Sequence, residues 1–117
     1  MRLRADGVLE TRFEPGLDAA AEHAEAALQL GVELYGGTPR PSVVVLDTVI
    51  GADSDARRLF QADPRMEQTT AKVAVVVGNH VARVIGKVLV TLNRPPIPMA
   101  LFSSFDEALD WARQDEA

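Results

Sequence analysis

Apolar positions along this chain fall into alternating, consecutive and helical patterns, and each pattern predicts a different element. Residues 2–5 and 8–13 have strand-like content on either side of Asp6-Gly7. That pair supplies the positive φ angles of a two-residue turn, so an N-terminal β-hairpin is expected, ending at Glu14-Pro15-Gly16. Leu17, Ala21, Ala24, Leu28 and Val32 then recur at helical spacing behind Asp18, a suitable N-cap. Gly31 weakens this helix, Gly36-Gly37 stop it, and Thr38-Pro39-Arg40-Pro41 makes a stiff connector. Val43, Val44, Val45 and Leu46 are apolar without a break, which fits a strand covered on both faces, and residues 72–77 repeat that pattern. Between these two strands, Leu59 and Phe60 would anchor a short helix near residues 54–61. Val81, Val84, Ile85, Val88, Leu89 and Leu92 form one helical face, which Arg94-Pro95-Pro96 must end. Residues 97–102 read as a last strand, with Pro98 marking a sheet edge. Ser104 and Glu107 match a capping box that opens a final helix burying Phe105, Ala108, Leu109 and Ala112.

The predicted order is a hairpin and helix, then strand and helix three times over. It implies an α/β fold, a mostly parallel sheet of about five strands with helices on both faces. The whole chain, residues 1–117, is expected to form a single domain. In such sheets ligands usually bind the loops that leave the carboxyl ends of the strands. Here those loops are residues 47–54, 78–80 and 103–104.

Composition narrows the functional classes. With 12 basic and 17 acidic side chains the formal charge is −5, which argues against a nucleic-acid partner, since a phosphate backbone demands a positive surface. The absence of cysteine excludes disulfides, thiol nucleophiles and thiolate metal sites. Arg2, Arg4, Asp6 and Glu10 interrupt the N-terminal stretch where a secretory signal needs continuous apolar residues, so a cytoplasmic location is expected. The longest apolar span, residues 81–92, carries Arg83 and Lys87 and falls short of the roughly 20 residues a bilayer requires.

The candidate chemistry is sparse. Neither Gly-x-Gly-x-x-Gly nor Gly-x-x-x-x-Gly-Lys-Ser/Thr occurs, so nucleotide binding lacks its usual phosphate cradle. Ser54, His80 and Asp47 can be drawn as a triad, but no Gly-x-Ser-x-Gly elbow supports it. His23 and His80 stand too far apart, without carboxylates at ligand spacing, to suggest zinc. Neither a catalytic residue nor a metal or other cofactor is therefore expected. The candidate binding residues are Asp47, Thr48, Asp53, Ser54, Asp55, Asn79 and His80 in the carboxyl-end loops. Arg83, Lys87 and Arg94 join them, forming with His80 and Thr91 a cationic ridge opposite the apolar face of their helix. Such a ridge is either a solvated helix face or a docking surface for an acidic partner or lipid headgroup. Trp111 falls beside the apolar face of the last helix, as a core residue or a half-exposed anchor.

The element order resembles the STAS domains of anti-sigma-factor antagonists, and more closely the small bacterial SpoIIAA-like proteins, whose fold is related to CRAL-TRIO lipid-transfer domains. The stretches carrying this resemblance are KVAVVVGN (72–79), RVIG (83–86), LNRPP (92–96), ALF (100–102) and DEALDW (106–111). It implies a non-enzymatic module that binds a protein partner. In the antagonists a serine or threonine at the start of a helix is phosphorylated within Asp-Ser-Ser/Thr-Gly. This chain instead reads Asp53-Ser54-Asp55-Ala56. Asp53 and Asp55 would repel a phosphate on Ser54, so a module without the phosphoserine switch is expected. The lipid-transfer side of the resemblance implies the alternative, a small lipophilic or anionic ligand held by the carboxyl-end loops. A homodimer is compatible with either reading.

Overall fold

Residues 1–12, 18–19, 21–45, 51–52, 63–77 and 97–114 are described by the computed structural model. Their elements, in chain order, are strands β1 (Arg2–Leu3), β2 (Leu9–Arg12) and β3 (Asp18–Ala19), helix α1 (Ala21–Leu34), strands β4 (Arg40–Val45) and β5 (Gly51–Ala52), helix α2 (Pro64–Thr69), strands β6 (Thr70–Val76) and β7 (Met99–Phe102), and helix α3 (Phe105–Arg113). The helices expected over residues 54–61 and 81–92 lie outside the described residues.

The main sheet has the order β1-β2-β4-β6-β7. β1 and β2 form the expected antiparallel hairpin, while β2, β4, β6 and β7 run parallel. The hairpin loop is longer than the two residues anticipated. The Gly7 amide donates to the Arg4 carbonyl and the Arg4 amide to the Val8 carbonyl, at 3.0 and 2.9 Å. Within this loop Gly7 takes a positive φ, +86°, and Asp6 does not. This is the three-residue loop, in which a glycine bulge follows a tight turn, and Asp6 completes it by accepting the Val8 amide.

The consecutive valines behave as expected of doubly covered strands. Val43, Val45, Ala74 and Val76 pack under α3 against Ala108, Leu109 and Ala112, with Phe102, Phe105 and Trp111 at the margin. On the opposite face Val73, Val75, Val77 and Ile97 pack with Val44, Met66, Met99 and Leu101, so α2 lies on that side through Met66. α1 packs against α2 and follows it to the same side. A side chain at Gly31 would bring its Cβ to 3.4 Å from Thr69 Oγ1, so the glycine that weakens α1 also lets it approach α2 closely. Gly36 and Gly37 then end the turn after α1 with φ of +76° and +86°.

Asp18 belongs to a strand, β3, where the sequence suggested a helix cap. β3 pairs in parallel with β5, inside the segment expected to be one continuous loop after β4. The pairing keeps a constant offset of 33 positions from Leu9–Ser42 in β2 and β4 to Ala19–Ala52 in β3 and β5. The two short strands form a separate two-stranded sheet with that same offset.

Two further differences concern the amino edge. α2 was not anticipated, although Asp63-Pro64 is a sound helix start: Asp63 Oδ1 accepts the Arg65 amide at 2.9 Å, and proline at the first helical position forfeits no bond. β4 begins at Arg40, inside the proline-flanked connector, and its register with β6 shifts between Arg40 and Pro41. Pro41 has no amide to give the ladder, and the partner strand absorbs the defect by bulging at Ala71. β7 starts at Met99, with Pro98 just ahead of it on the sheet edge and its carbonyl accepting the Val73 amide at 2.9 Å.

Leu9 is 2% exposed and among the largest fully buried side chains. Leu9→Ala is expected to lower stability by about 2–5 kcal/mol. In urea titration the midpoint should fall while the slope stays unchanged.

Candidate functional site

The loop and ridge residues Asp47, Thr48, Asp53, Ser54, Asp55, Asn79, His80, Arg83, Lys87 and Arg94 lie outside the described residues. Of the predicted carboxyl-edge positions, Gly51 and Ala52 in β5 and Ser103 and Ser104 are described. Ser103 is exposed, and Ser104 accepts the Glu107 amide at 3.1 Å as the N-cap of α3. Its role there is structural.

The polar groups that the fold draws together sit on the face of the sheet covered by α3 and at its amino edge. Strand alternation places Glu10 and Arg12 on the face of Val8, beneath α3. Glu10 is only 8% exposed, and three arginines surround it: Arg4 at 2.7 Å, Arg12 at 2.9 Å and Arg2 at 3.5 Å. The guanidinium groups of Arg4 and Arg12 also stand over the Phe105 ring, 5.7 and 4.6 Å from its centroid. Burial pushes the Glu10 carboxyl up, but the hydrogen bonds from Arg12 and Arg4 outweigh it, and the group titrates below the ordinary glutamate range. Asp6 balances in the same way: burial raises it, while bonds from Arg113, the Val8 amide and Arg4 bring it below the usual value.

Among the described residues Lys72 is the other enclosed charge, 5% exposed. It shares its face with Ala74 and Val76, runs under the end of α3, and donates to the carbonyls of Trp111 at 2.5 Å and Gln114 at 2.9 Å. Its ammonium also lies 4.5 Å from the centroid of the Trp111 ring, which itself packs 5.7 Å from Phe102. A cation is favoured there because the last carbonyls of a helix lack amide partners and carry partial negative charge. Trp111 is half-buried at the core margin in these contacts.

Around this helix end opens a cleft of about 380 Å³, bordered by the hairpin turn, residues 39–41, the bulge at Ala71 with Lys72, and the last residues of α3. Arg113 crosses its rim to Asp6 at 2.7 Å. Arg40 donates through Nε to the Tyr35 carbonyl at 2.8 Å. Added Cβ atoms at Gly7 and Gly36 would meet the Arg40 guanidinium at 3.4 and 3.1 Å, so two left-handed glycines leave it room. On the far face, Arg65 bonds Glu25 at 2.8 and 2.6 Å and Asp63 at 2.9 Å, tying α2 to α1.

These groups are suited to electrostatic recognition and poorly suited to proton transfer. Guanidinium groups keep their protons, and the two carboxylates of the hairpin are held ionised. Among the described residues no group of three His, Asp or Glu side chains is placed to hold a metal, and no helix is long and apolar enough to cross a membrane. Sequence reasoning did not single out Arg40, Lys72 or Arg113. The available signals were a cation bracketed by Pro39 and Pro41 and a lysine opening an otherwise apolar run.

A family model described as "Domain of unknown function (DUF7793)" matches residues 1–115. Among solved structures, the chain is similar to an uncharacterized protein of the DUF3478 family with a SpoIIAA-like fold from Shewanella loihica PV-4. The TM-score is 0.59 at 14% identity, over 90% of this chain and 82% of that one. This likeness shows the SpoIIAA-like fold that the sequence led us to expect. No curated protein matches the chain.

Two outcomes follow from the enclosed charges. Lys72→Met keeps the side-chain length but leaves two helix-end carbonyls without their donor, so a loss of about 1.5–3 kcal/mol is expected. Thermal melts will read that loss, and the emission of Trp111, the single tryptophan, should shift with it. Because the Glu10 pKa is depressed on folding, its stabilisation is complete above the unfolded glutamate value and disappears as pH falls through the folded one. Urea midpoints measured below about pH 4.5 should therefore drop more steeply for the wild type than for Glu10→Gln.

Proposed function

We propose that this chain, which belongs to the DUF7793 family, is a non-enzymatic regulatory module that works by binding a protein partner, in the manner of STAS-like domains but without their phosphoserine switch. The observation that carries this reading is the SpoIIAA-like fold, with parallel strands directing their carboxyl-end connections to one edge of the sheet. Fold alone does not dictate activity, so the reading also rests on sequence chemistry. Asp53 and Asp55 flank Ser54 and supply standing negative charge where the antagonists receive a phosphate. β5 ends at Ala52, so this acidic triplet directly follows a strand paired with β3. Standing charge of that kind suits a partner presenting basic side chains, whose encounter it would accelerate.

Affinity capture from the source cells with wild type, Ser54→Ala and Asp55→Lys provides the test. The same partner should be held by wild type and Ser54→Ala and lost by Asp55→Lys, with no phosphate on Ser54 by mass spectrometry. Partner release controlled by phosphorylation of Ser54 would overturn the switchless reading. Native mass spectra showing a retained small ligand and no partner would favour the ligand-binding alternative instead.

A further inference from the structure

We propose that the amino-edge cleft is a binding site for a small organic oxyanion, a carboxylate or a phosphate, with Arg40 as its principal contact. Three cationic side chains and one carboxylate border this cleft in a chain whose net charge is −5. The cations are not equivalent. Arg113 is neutralised by Asp6 at 2.7 Å, and Lys72 is committed to the carbonyls that end α3. Arg40 has no carboxylate partner among the described residues, and its hydrogen bond to the Tyr35 carbonyl uses Nε, one of five guanidinium donors. The two terminal nitrogens approach Gly7 and Gly36, at positions where a Cβ would come within 3.4 and 3.1 Å. Both glycines have positive φ, so the fork sits beside backbone that carries no side chain at those two points.

Pro39 and Pro41 fix the chain on either side of Arg40, and the ladder irregularity beside Pro41 sets Ala71 and Lys72 at the same rim. Bulges commonly re-aim side chains beside binding sites. A guanidinium fork matches a planar carboxylate or a phosphate through paired hydrogen bonds, which a lysine cannot reproduce. A volume of about 380 Å³ lies at the small end of ligand pockets. The cleft is at the sheet edge opposite the carboxyl-end loops, so this inference does not rest on the interaction reading.

Heteronuclear NMR titration of the full chain with inorganic phosphate and, separately, with succinate tests it, using sodium chloride at matched ionic strength as control. Saturable shifts of the Gly7, Gly36, Arg40 and Ala71 amides are expected with at least one of the two probes. Saturation by phosphate alone assigns a phosphorylated ligand, and saturation by succinate alone a carboxylate. Arg40→Gln should weaken binding roughly tenfold or more, and Arg40→Lys should fall between it and wild type. Arg113→Gln removes one cation from the rim and leaves the Asp6 carboxylate with Arg4 as its remaining ion partner there, and should also weaken binding, an independent measure should Arg40→Gln fail to fold. Shifts that chloride reproduces, no saturation by either probe, or wild-type affinity in both Arg40→Gln and Arg113→Gln would each overturn the proposal.

Discussion

The constraint on which the structure depends is that β4 and β6 carry apolar residues on both faces and therefore need cover on both sides. A central valine left exposed would forfeit roughly 1.5–3 kcal/mol of burial, and several do not alternate with polar residues in a way that would spare either side. One layer is α3. The other includes α2, with α1 packed upon it. Parallel strands bring every carboxyl-end connection to one rim and every amino-end connection to the other, so the fold divides its polar residues between two edges before any site is considered.

Where apolar cover runs out, charge takes over under strict pairing. β2 lies at the margin of α3, and there a glutamate replaces the inward valine found across the ladder: Glu10 pairs with Val43. Three arginines compensate for its desolvation, and Phe105 stacks against two of them. At the other end of α3 the enclosed lysine solves two problems together, since the helix end needs donors and the ammonium needs acceptors. Neither arrangement is evidence for large net stabilisation, because buried ion pairs roughly recover their own desolvation cost. They specify how the hairpin and last helix must sit.

The elements written in strong local patterns were legible in the sequence. The valine runs, Gly36-Gly37 and the Ser104 cap each fix their neighbourhood by a single physical rule, and the parallel order follows from them. Features that depend on what a distant segment does were not. Asp18 has the chemistry of a cap, yet β5 recruits its backbone into a ladder, a choice no local propensity encodes. α2 spans six residues with little periodicity to reveal it, although Asp63 and Pro64 announced its start. The amino-edge cleft was missed because its residues come from four separated segments, and attention to the carboxyl edge is a fold-level habit rather than a property of Arg40 or Lys72.

The shared offset of β2–β4 and β3–β5 has an evolutionary corollary. Five positions separate β2 from β3 and five separate β4 from β5, so both parallel pairs keep one offset. Adding or deleting one residue in a single interval would break that shared offset and shift the register of the short pair by one position. Homologues should therefore vary the lengths of these two segments together or not at all, although each is connecting chain of the sort that usually tolerates insertions on its own.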